Sequence, residues 1–283
     1  MSQSEIPIIL ADSITHVPDQ PRFPRVVLCG SHGGLSAAIF ALKKGVRGVI
    51  FNDAGGGKDQ AGIAGLALLE KNGIYAAAVG ADTAKIGIAK ETEGGTISFL
   101  NMLSEKAGIQ AGMSARKAAE IMQNAPALVS KVLSESGEEY EEQLTVIHTS
   151  PTGYRIVAMD SNSLVTPDNR KDIILTGSHG GLVGLAPVVK YPVIAAFYND
   201  AGIGKEQAGI TRLPRLQEIG IIGAAVDAHT ARIGVGMETY KYGIISHANQ
   251  LAMDLGIVKG MRAYDAAWRV LREKEKQTRK SED

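Results

Sequence analysis

The chain repeats two glycine-rich polar motifs at the same distance along its 283 residues. Gly-Ser-His-Gly-Gly occurs at residues 30–34 and again at 177–181, and Asn-Asp-Ala-Gly occurs at 52–55 and again at 199–202. The offset is 147 residues for both motifs. The apolar segments between the motifs differ more than the motifs themselves. The repeat therefore predicts two homologous halves, and it indicates that the motifs form a site as well as a fold.

Each half alternates short apolar runs with segments of helical spacing. In the first half, a β-branched run at 26–28 leads into the Gly-Ser-His-Gly-Gly motif, and a helical pattern follows up to Lys44. This alternation is typical of parallel β-α-β units. We therefore predict an α/β fold of two tandem homologous β-α-β-type repeats, with mostly parallel sheets in three layers and a pseudo-twofold arrangement. The first repeat, with an acidic linker, covers 1–142, and the second, with a charged C-terminal tail, covers 143–283.

Some segments allow a more specific prediction. Two apolar runs joined by Pro-Thr-Gly predict a β-hairpin over 144–159. Helical spacing predicts a last helix in each half, at 97–106 and 244–254. A helix is also expected over 182–191, shortened or bent because it contains Pro187.

Composition excludes some classes of partner. The balance of 30 basic and 30 acidic residues gives no electrostatic reason to expect binding to nucleic acid or a membrane surface. No stretch approaches a membrane span, and the first 15 residues lack the features of a secretory signal. The single cysteine, Cys29, excludes an intramolecular disulfide and fits a reducing compartment. We therefore predict a cytoplasmic protein without nucleic acid or membrane partners, and we expect a homo-oligomer.

The Gly-Ser-His-Gly-Gly motif lies between a predicted strand and a predicted helix. Bare backbone N–H groups at such a place bind anions, so Gly33, Gly34, Gly180 and Gly181 are candidate anion-binding residues. The motif lacks the third glycine of a dinucleotide fingerprint and differs from a nucleophile elbow. The alternative is that its glycines only permit a tight turn.

Four residue types per half could carry chemistry. Histidine can transfer a proton near neutral pH, serine can act as a nucleophile, and a lysine can activate a hydroxyl or bind an anion. The side chains of neighbouring residues point apart, so the serine and histidine of one motif do not easily contact each other. Instead, Ser31 would meet His179 and Ser178 would meet His32 across the two halves, with an aspartate orienting the imidazole. The alternatives are that the aspartates cap helices and that the lysines are solvated. The predicted catalytic residues are Ser31, His32, Asp53, Lys58, Ser178, His179, Asp200 and Lys205.

Further polar residues of the repeated loops are predicted to bind the substrate. Their amides, hydroxyls and cations suit a carboxylate or phosphate group. Lys85 in the first half corresponds to Arg232 in the second. Besides the four glycines, this set contains Asn52, Gly55, Gln60, Thr83, Lys85, Asn199, Gly202, Gln207, His229, Thr230 and Arg232.

These residues favour a cofactor-independent enzyme acting on a small anionic, carboxylate-bearing metabolite. Hydrolysis of an amide or cyclic amide C–N bond at a site shared by the two repeats is the first hypothesis. The second is proton transfer next to a carbonyl, as in an isomerase, racemase, lyase or decarboxylase. A metabolite-binding protein is the third. A divalent metal held by both histidines and both aspartates ranks lower, because the sequence has no histidine pair with metal-ligand spacing.

Overall fold

The computed structural model describes residues 7–19, 25–126 and 141–282. They form an α/β fold with two mostly parallel sheets, of five and six strands. The strands are β1 (Ile8–Ala11), β2 (Val26–His32), β3 (Gly48–Asn52), β4 (Tyr75–Val79), β5 (Ile97–Leu100), β6 (Leu144–Thr149), β7 (Arg155–Met159), β8 (Asp172–His179), β9 (Ala195–Asn199), β10 (Ile222–Val226) and β11 (Ile245–Ala248). The helices are α1 (Leu35–Lys43), α2 (Gly65–Lys71), α3 (Ala89–Gly94), α4 (Met102–Lys106), α5 (Ala115–Asn124), α6 (Arg212–Glu218), α7 (Gly236–Tyr242), α8 (Gln250–Asp254) and α9 (Ala263–Glu282).

The first sheet follows chain order, β1-β2-β3-β4-β5, and the second has the order β11-β10-β9-β8-β7-β6. Strands β1 to β4 pair in parallel, as do β7 to β10. Strand β5 is antiparallel to β4 and β11 is antiparallel to β10. The predicted hairpin is confirmed, since β6 pairs antiparallel with β7.

The central strands are apolar on both faces because helices cover both faces. In the first sheet, Val27 and Phe51 pack in one cluster with residues of α1 and α2. Their neighbours Leu28 and Ile50 point the other way and pack with α5. Runs of consecutive apolar residues are therefore expected in these strands, instead of an alternating pattern.

The predicted last helices are wrong over their first residues. Residues 97–100 form the edge strand β5, and α4 begins only at Met102. The Asn101 side chain accepts a hydrogen bond from the Ser104 N–H, which fixes the helix start. The second half repeats this arrangement, with Asn249 before α8.

No helix forms over 182–191, where a shortened or bent one was expected. Pro187 and Pro192 remove backbone donors that a helix there would use. The charged C-terminal segment, by contrast, continues helix α9 as far as Glu282. Within the described residues, no helix is long and apolar enough to cross a membrane.

The two Asn-Asp-Ala-Gly loops join the halves. Lys58 N–H donates to the Ala228 carbonyl (2.8 Å), and Lys205 N–H donates to the Ala81 carbonyl (2.7 Å). Between these bonds lies a small apolar cluster with members from both halves: Ala54, Ala61, Ile86, Ala201, Ala208 and Ile233. The loops therefore fix how the carboxyl ends of the two sheets face each other.

Candidate functional site

A cavity of about 280 Å³ is lined by residues of both halves, at the ends of β2 and β8. Ser31 and His32 are the last two residues of β2, and Ser178 and His179 are the last two residues of β8. All four line this cavity, which we call the histidine cavity. Backbone atoms of other segments lie so close to the position before each serine that only glycine fits there. A Cβ on Gly30 would lie 2.6 Å from the Asp12 carbonyl oxygen. The structure thus brings the serine–histidine pairs of the two motifs to one place.

Both imidazoles are neutral hydrogen-bond donors. The Nδ1 of His32 accepts the Gly34 N–H (3.1 Å), and the Nδ1 of His179 accepts the Gly181 N–H (3.2 Å). A nitrogen that accepts carries no proton, so the proton of each neutral ring is on Nε2. Burial lowers the pKa of His32 to about 4. Burial, together with the positive charge of Arg212 and that of His32 when it is protonated, lowers the pKa of His179 to about 3.

The serine hydroxyls are held by backbone amides. Ser31 Oγ accepts the Ile14 N–H (3.1 Å), and Ser178 Oγ accepts the Asn162 N–H (2.9 Å). Among the described residues, no carboxylate, lysine or imidazole accepts a hydrogen bond from either hydroxyl.

Sequence reasoning did not select several residues that line the histidine cavity. Glu142 accepts a hydrogen bond from the Ser163 hydroxyl (3.2 Å), and burial raises the pKa of its carboxyl group. Asp160 accepts the Gly236 N–H (3.0 Å) and the Gln143 N–H (3.0 Å). Lys190 and Arg212 also line the cavity. The repeated Asp-Ser pair after β1 and after β7, at 12–13 and 160–161, was the available signal for Asp160.

The two predicted catalytic aspartates lie in the Asn-Asp-Ala-Gly loops and contact neither imidazole. Asp53 Oδ1 accepts the N–H groups of Gly55 and Ala81 (2.9 Å each), and Oδ2 accepts the Ser98 hydroxyl (2.8 Å). Asp200 accepts matched bonds from Gly202 (3.0 Å) and Ala228 (2.9 Å). Burial raises the pKa of Asp200. These carboxylates hold the loops in shape.

The neighbouring asparagines have the same kind of role. Asn52 Nδ2 donates to the Ala84 carbonyl (2.9 Å), and its Oδ1 accepts the Ala54 N–H (2.9 Å). Asn199 makes the matched pair of bonds, with Ala231 and Ala201. Both side chains are fully buried and have partners for donor and acceptor.

The predicted lysines form ion pairs that cross between the halves. Lys58 Nζ lies 3.3 Å from Glu238 and stacks on the Tyr242 ring (4.6 Å to its centroid). Lys205 Nζ lies 2.8 Å from Glu91. Neither lysine is among the described residues that line the histidine cavity.

The other predicted binding residues are also held in the loops. Thr83 and Thr230 donate to the carbonyls of Gly80 (2.9 Å) and Asp227 (2.7 Å). Lys85 pairs with Glu206, Arg232 pairs with Glu238, and Gln207 and His229 are exposed. A second, open depression of about 550 Å³ is lined by Asp53, Gly55, Gln60, Gly202 and Lys205, among others. The predicted site residues therefore separate into the histidine cavity and this loop region.

The metal hypothesis fits the geometry poorly. Its four ligands are divided, with the imidazoles at the histidine cavity and the aspartates bonded to loop amides. Across residues 7–19, 25–126 and 141–282, no group of three or more histidine, cysteine, aspartate or glutamate side chains is arranged to hold a metal ion.

The histidine cavity can bind a small molecule with oxygen acceptors. Both imidazoles and both serines line it, and its volume suits a ligand of few heavy atoms. Comparisons of the chain with family models, with curated proteins and with solved structures give no match.

Proposed function

We propose that the protein is an enzyme that transfers a proton next to the carbonyl group of a small anionic metabolite. One observation carries this proposal: two neutral imidazoles, each with Nδ1 occupied by a backbone N–H, line the same cavity. The Nε2–H groups of His32 and His179 donate to the carbonyl oxygen. They stabilise the negative charge that this oxygen gains when the neighbouring carbon loses its proton.

The proton acceptor in this proposal is Glu142. Its carboxylate takes the proton from the carbon next to the carbonyl and returns it, to the same carbon or to another. A raised pKa suits both steps, because a carboxylate of ordinary pKa is a weak base near neutral pH. The imidazoles do not serve as bases here, because their free nitrogen already carries a proton.

Hydrolysis of an amide or cyclic amide C–N bond is the second candidate. The hydroxyl beside each imidazole favours it, because Ser31 or Ser178 could attack a carbonyl held by the same donors. It ranks second because each hydroxyl lacks a side-chain base in the described part of the chain. The third candidate, a metabolite-binding protein, needs the same donors without turnover.

The finer architecture belongs to the same proposal. We infer a tandem duplication with three layers in each repeat and a pseudo-twofold arrangement, divided near residue 142. Matched hydrogen bonds at Asn52 and Asn199, and at Asp53 and Asp200, support it. In this view the loop residues bind no substrate directly but hold the cavity open between the repeats. A cytoplasmic homo-oligomer without nucleic acid or membrane partners remains our expectation.

Solvent exchange tests the proposed reaction. A mixture of small carbonyl-bearing carboxylates and cyclic amide carboxylates is incubated with the enzyme in ²H₂O and followed by NMR. We expect deuterium to enter next to the carbonyl of one compound, and His179→Asn to slow this about 100-fold or more, as loss of an oxyanion donor does. Glu142→Gln should abolish exchange and Ser178→Ala should retain it.

The opposite pattern identifies the alternatives. Cleavage of a C–N bond without exchange, lost in Ser31→Ala or Ser178→Ala, would establish hydrolysis and refute proton transfer. Saturable binding with no change in any compound would favour the binding protein.

A further inference from the structure

The repeated halves differ sharply at one buried position. Helix α2 begins at Gly65 and helix α6 begins at Arg212, which are 147 residues apart. Their backbones are equivalent: the Gly65 N–H donates to the Gly33 carbonyl (2.9 Å), and the Arg212 N–H donates to the Gly180 carbonyl (2.8 Å). Only the second half therefore carries a side chain here, and it is a cation.

The packing of α1 explains why the first half needs glycine. A Cβ on Gly65 would lie 2.5 Å from the Ala38 Cβ and 2.5 Å from the Gly34 carbonyl oxygen. In the second half the segment 182–191 is not helical. The Arg212 guanidinium donates to the carbonyl of Gly181 (2.9 Å), just before this segment, and to the carbonyl of Val188, within it. The loss of this helix makes room for the arginine.

The Arg212 guanidinium forms no ion pair within the described residues. The residue is only 4% exposed, and no carboxylate of the described residues lies within ion-pair distance. Its two amino groups donate to carbonyls, whereas its Nε is buried without a partner. Its guanidinium also lies over the Tyr198 ring, at 4.9 Å. A buried charge without an opposite charge is costly, so a site of this kind gains from binding an anion.

Arg212 also belongs to the proposed reaction site, because it is one of the residues that line the histidine cavity, as His179 is. Its charge is close enough to His179 to help lower the pKa of that imidazole.

We propose that Arg212 binds the carboxylate group of the substrate, which enters with its anionic end toward the second half of the chain. This inference rests on the proposed function and makes it more specific. The substrate then carries its carboxylate a short distance from the carbonyl held by the two imidazoles, as in a small oxo-carboxylate. Because Gly65 gives the first half no cation at the matching position, the carboxylate binds on the Arg212 side and the substrate has one orientation.

Carboxylate binding to the intact protein tests the inference. Pyruvate, acetoacetate and succinate are titrated at constant ionic strength set with sodium chloride, and melting temperature and ligand-observed NMR report binding. We expect a saturable rise in melting temperature for at least one of them. Arg212→Met should weaken its binding about 10- to 100-fold, as loss of a hydrogen bond to a charged group does. Arg212→Lys should lose less.

The matched control is Arg215→Met. Arg215 lies on the same helix but is exposed and pairs with Glu218, so its replacement should leave binding unchanged. A purely structural role for Arg212 would give a different result: Arg212→Met would lower the melting temperature of the free protein while the carboxylate-induced rise persisted. That outcome would overturn the inference.

A measurement on the wild-type protein covers the case in which Arg212→Met does not fold. The neutral methyl ester of the bound acid should not raise the melting temperature, and an equal effect of ester and acid would refute the carboxylate subsite. Absence of a rise with all three acids would also refute it. The two proposals fail separately: carboxylate binding that depends on Arg212 without solvent exchange contradicts only the enzyme, whereas exchange with unchanged KM in Arg212→Met contradicts only the subsite.

Discussion

Each cavity histidine uses one ring nitrogen to bind its own loop and offers the other to a ligand. The bond from Gly34 or Gly181 to Nδ1 removes the choice of tautomer, and burial removes the charge. The same two contacts therefore stabilise the loop and convert a potential base into a neutral donor. A role in which histidine activates serine would require the loop to give up a buried N–H bond.

Because both rings are neutral in the folded protein, the free energy of unfolding should depend on pH. In the unfolded chain a histidine takes up a proton near pH 6.5, whereas folded His32 does so only near pH 4. As the pH falls between these values the unfolded state binds more protons, so the free energy of unfolding decreases. We expect a slope of up to about 1.4 kcal/mol per pH unit for each such histidine.

Urea unfolding from pH 7 to pH 4 measures this slope in the wild type and in His32→Asn. Asparagine offers an oxygen to the Gly34 N–H but does not titrate, so the variant should lose about half of the slope that the two histidines contribute. His229→Asn, which replaces an exposed histidine outside the cavity, controls for the substitution itself. An unchanged slope in His32→Asn would show that the ring is not buried in the neutral form.

The repetition of the Gly-Ser-His-Gly-Gly motif predicted some of the cavity residues but not all of them. Ser31, His32 and their partners were found because they recur, and the structure brings them to one cavity. Arg212 was missed because its counterpart is a glycine, followed in α2 by four apolar residues. Its role depends on space left by another segment, and no pattern within its own helix shows that space. A position-by-position comparison at the offset of 147 residues would have found the Gly65/Arg212 difference.

At the scale of elements, one helix replaced by an irregular segment changes what its neighbour can carry. Helix α1 packs so closely on α2 that position 65 has no room for a Cβ, whereas segment 182–191 leaves room for a whole arginine. The prolines were correctly predicted to disfavour a helix over 182–191. The local spacing did not show that they would prevent the helix entirely. Edge strand β5 was mistaken for helix for a similar reason, since pairing with β4 overrides local spacing.

The contact between α1 and α2 should make Gly65→Ala strongly destabilising. The added methyl group meets Ala38 and the Gly34 carbonyl at 2.5 Å, so helices must separate or bend. We expect a loss of about 1–3 kcal/mol in the free energy of unfolding, as overpacking usually costs. Gly94→Ala is the control, because a Cβ there meets nothing within 4 Å and alanine should be neutral or slightly stabilising. Equal stability of the two variants would contradict the close packing of α1 on α2.

At the scale of the whole molecule, the repeated loops serve the contact between halves. Seven non-glycine residues of the described chain have positive φ, and all belong to the two Asn-Asp-Ala-Gly loops or the turns that follow them: Ala54, Asp59, Gln60, Ala201, Ile203, Glu206 and Gln207. Such conformations are unfavourable, and they persist where surrounding contacts determine them. Here those contacts include the backbone bonds from Lys58 and Lys205 to the opposite half. Motif repetition therefore predicted important loops, but the sequence alone did not separate a joining role from a chemical one.

A close approach of the two joining loops, at Gly55 and Gly202, supplies a direct test of this joining role. A Cβ on Gly55 would lie 3.1 Å from the Gly202 Cα, and Gly55 has a φ of +69°. Gly55→Ala should therefore suffer both backbone strain and a clash between halves. Gly45 has a similar φ of +62° with nothing within 4 Å of its Cβ, so Gly45→Ala suffers the strain alone. We expect Gly55→Ala to lose about 1–2 kcal/mol more in the free energy of unfolding than Gly45→Ala.

The same pair of variants shows whether the joining loops shape the histidine cavity. Because that cavity takes its walls from both halves, a displacement at Gly55 should also weaken carboxylate binding, measured by the same melting-temperature titration. Gly45→Ala should bind as the wild type does, since position 45 lies at the end of α1, away from the opposite half. If Gly55→Ala loses stability but binds carboxylates normally, the loops join the halves without setting the distance between His32 and His179.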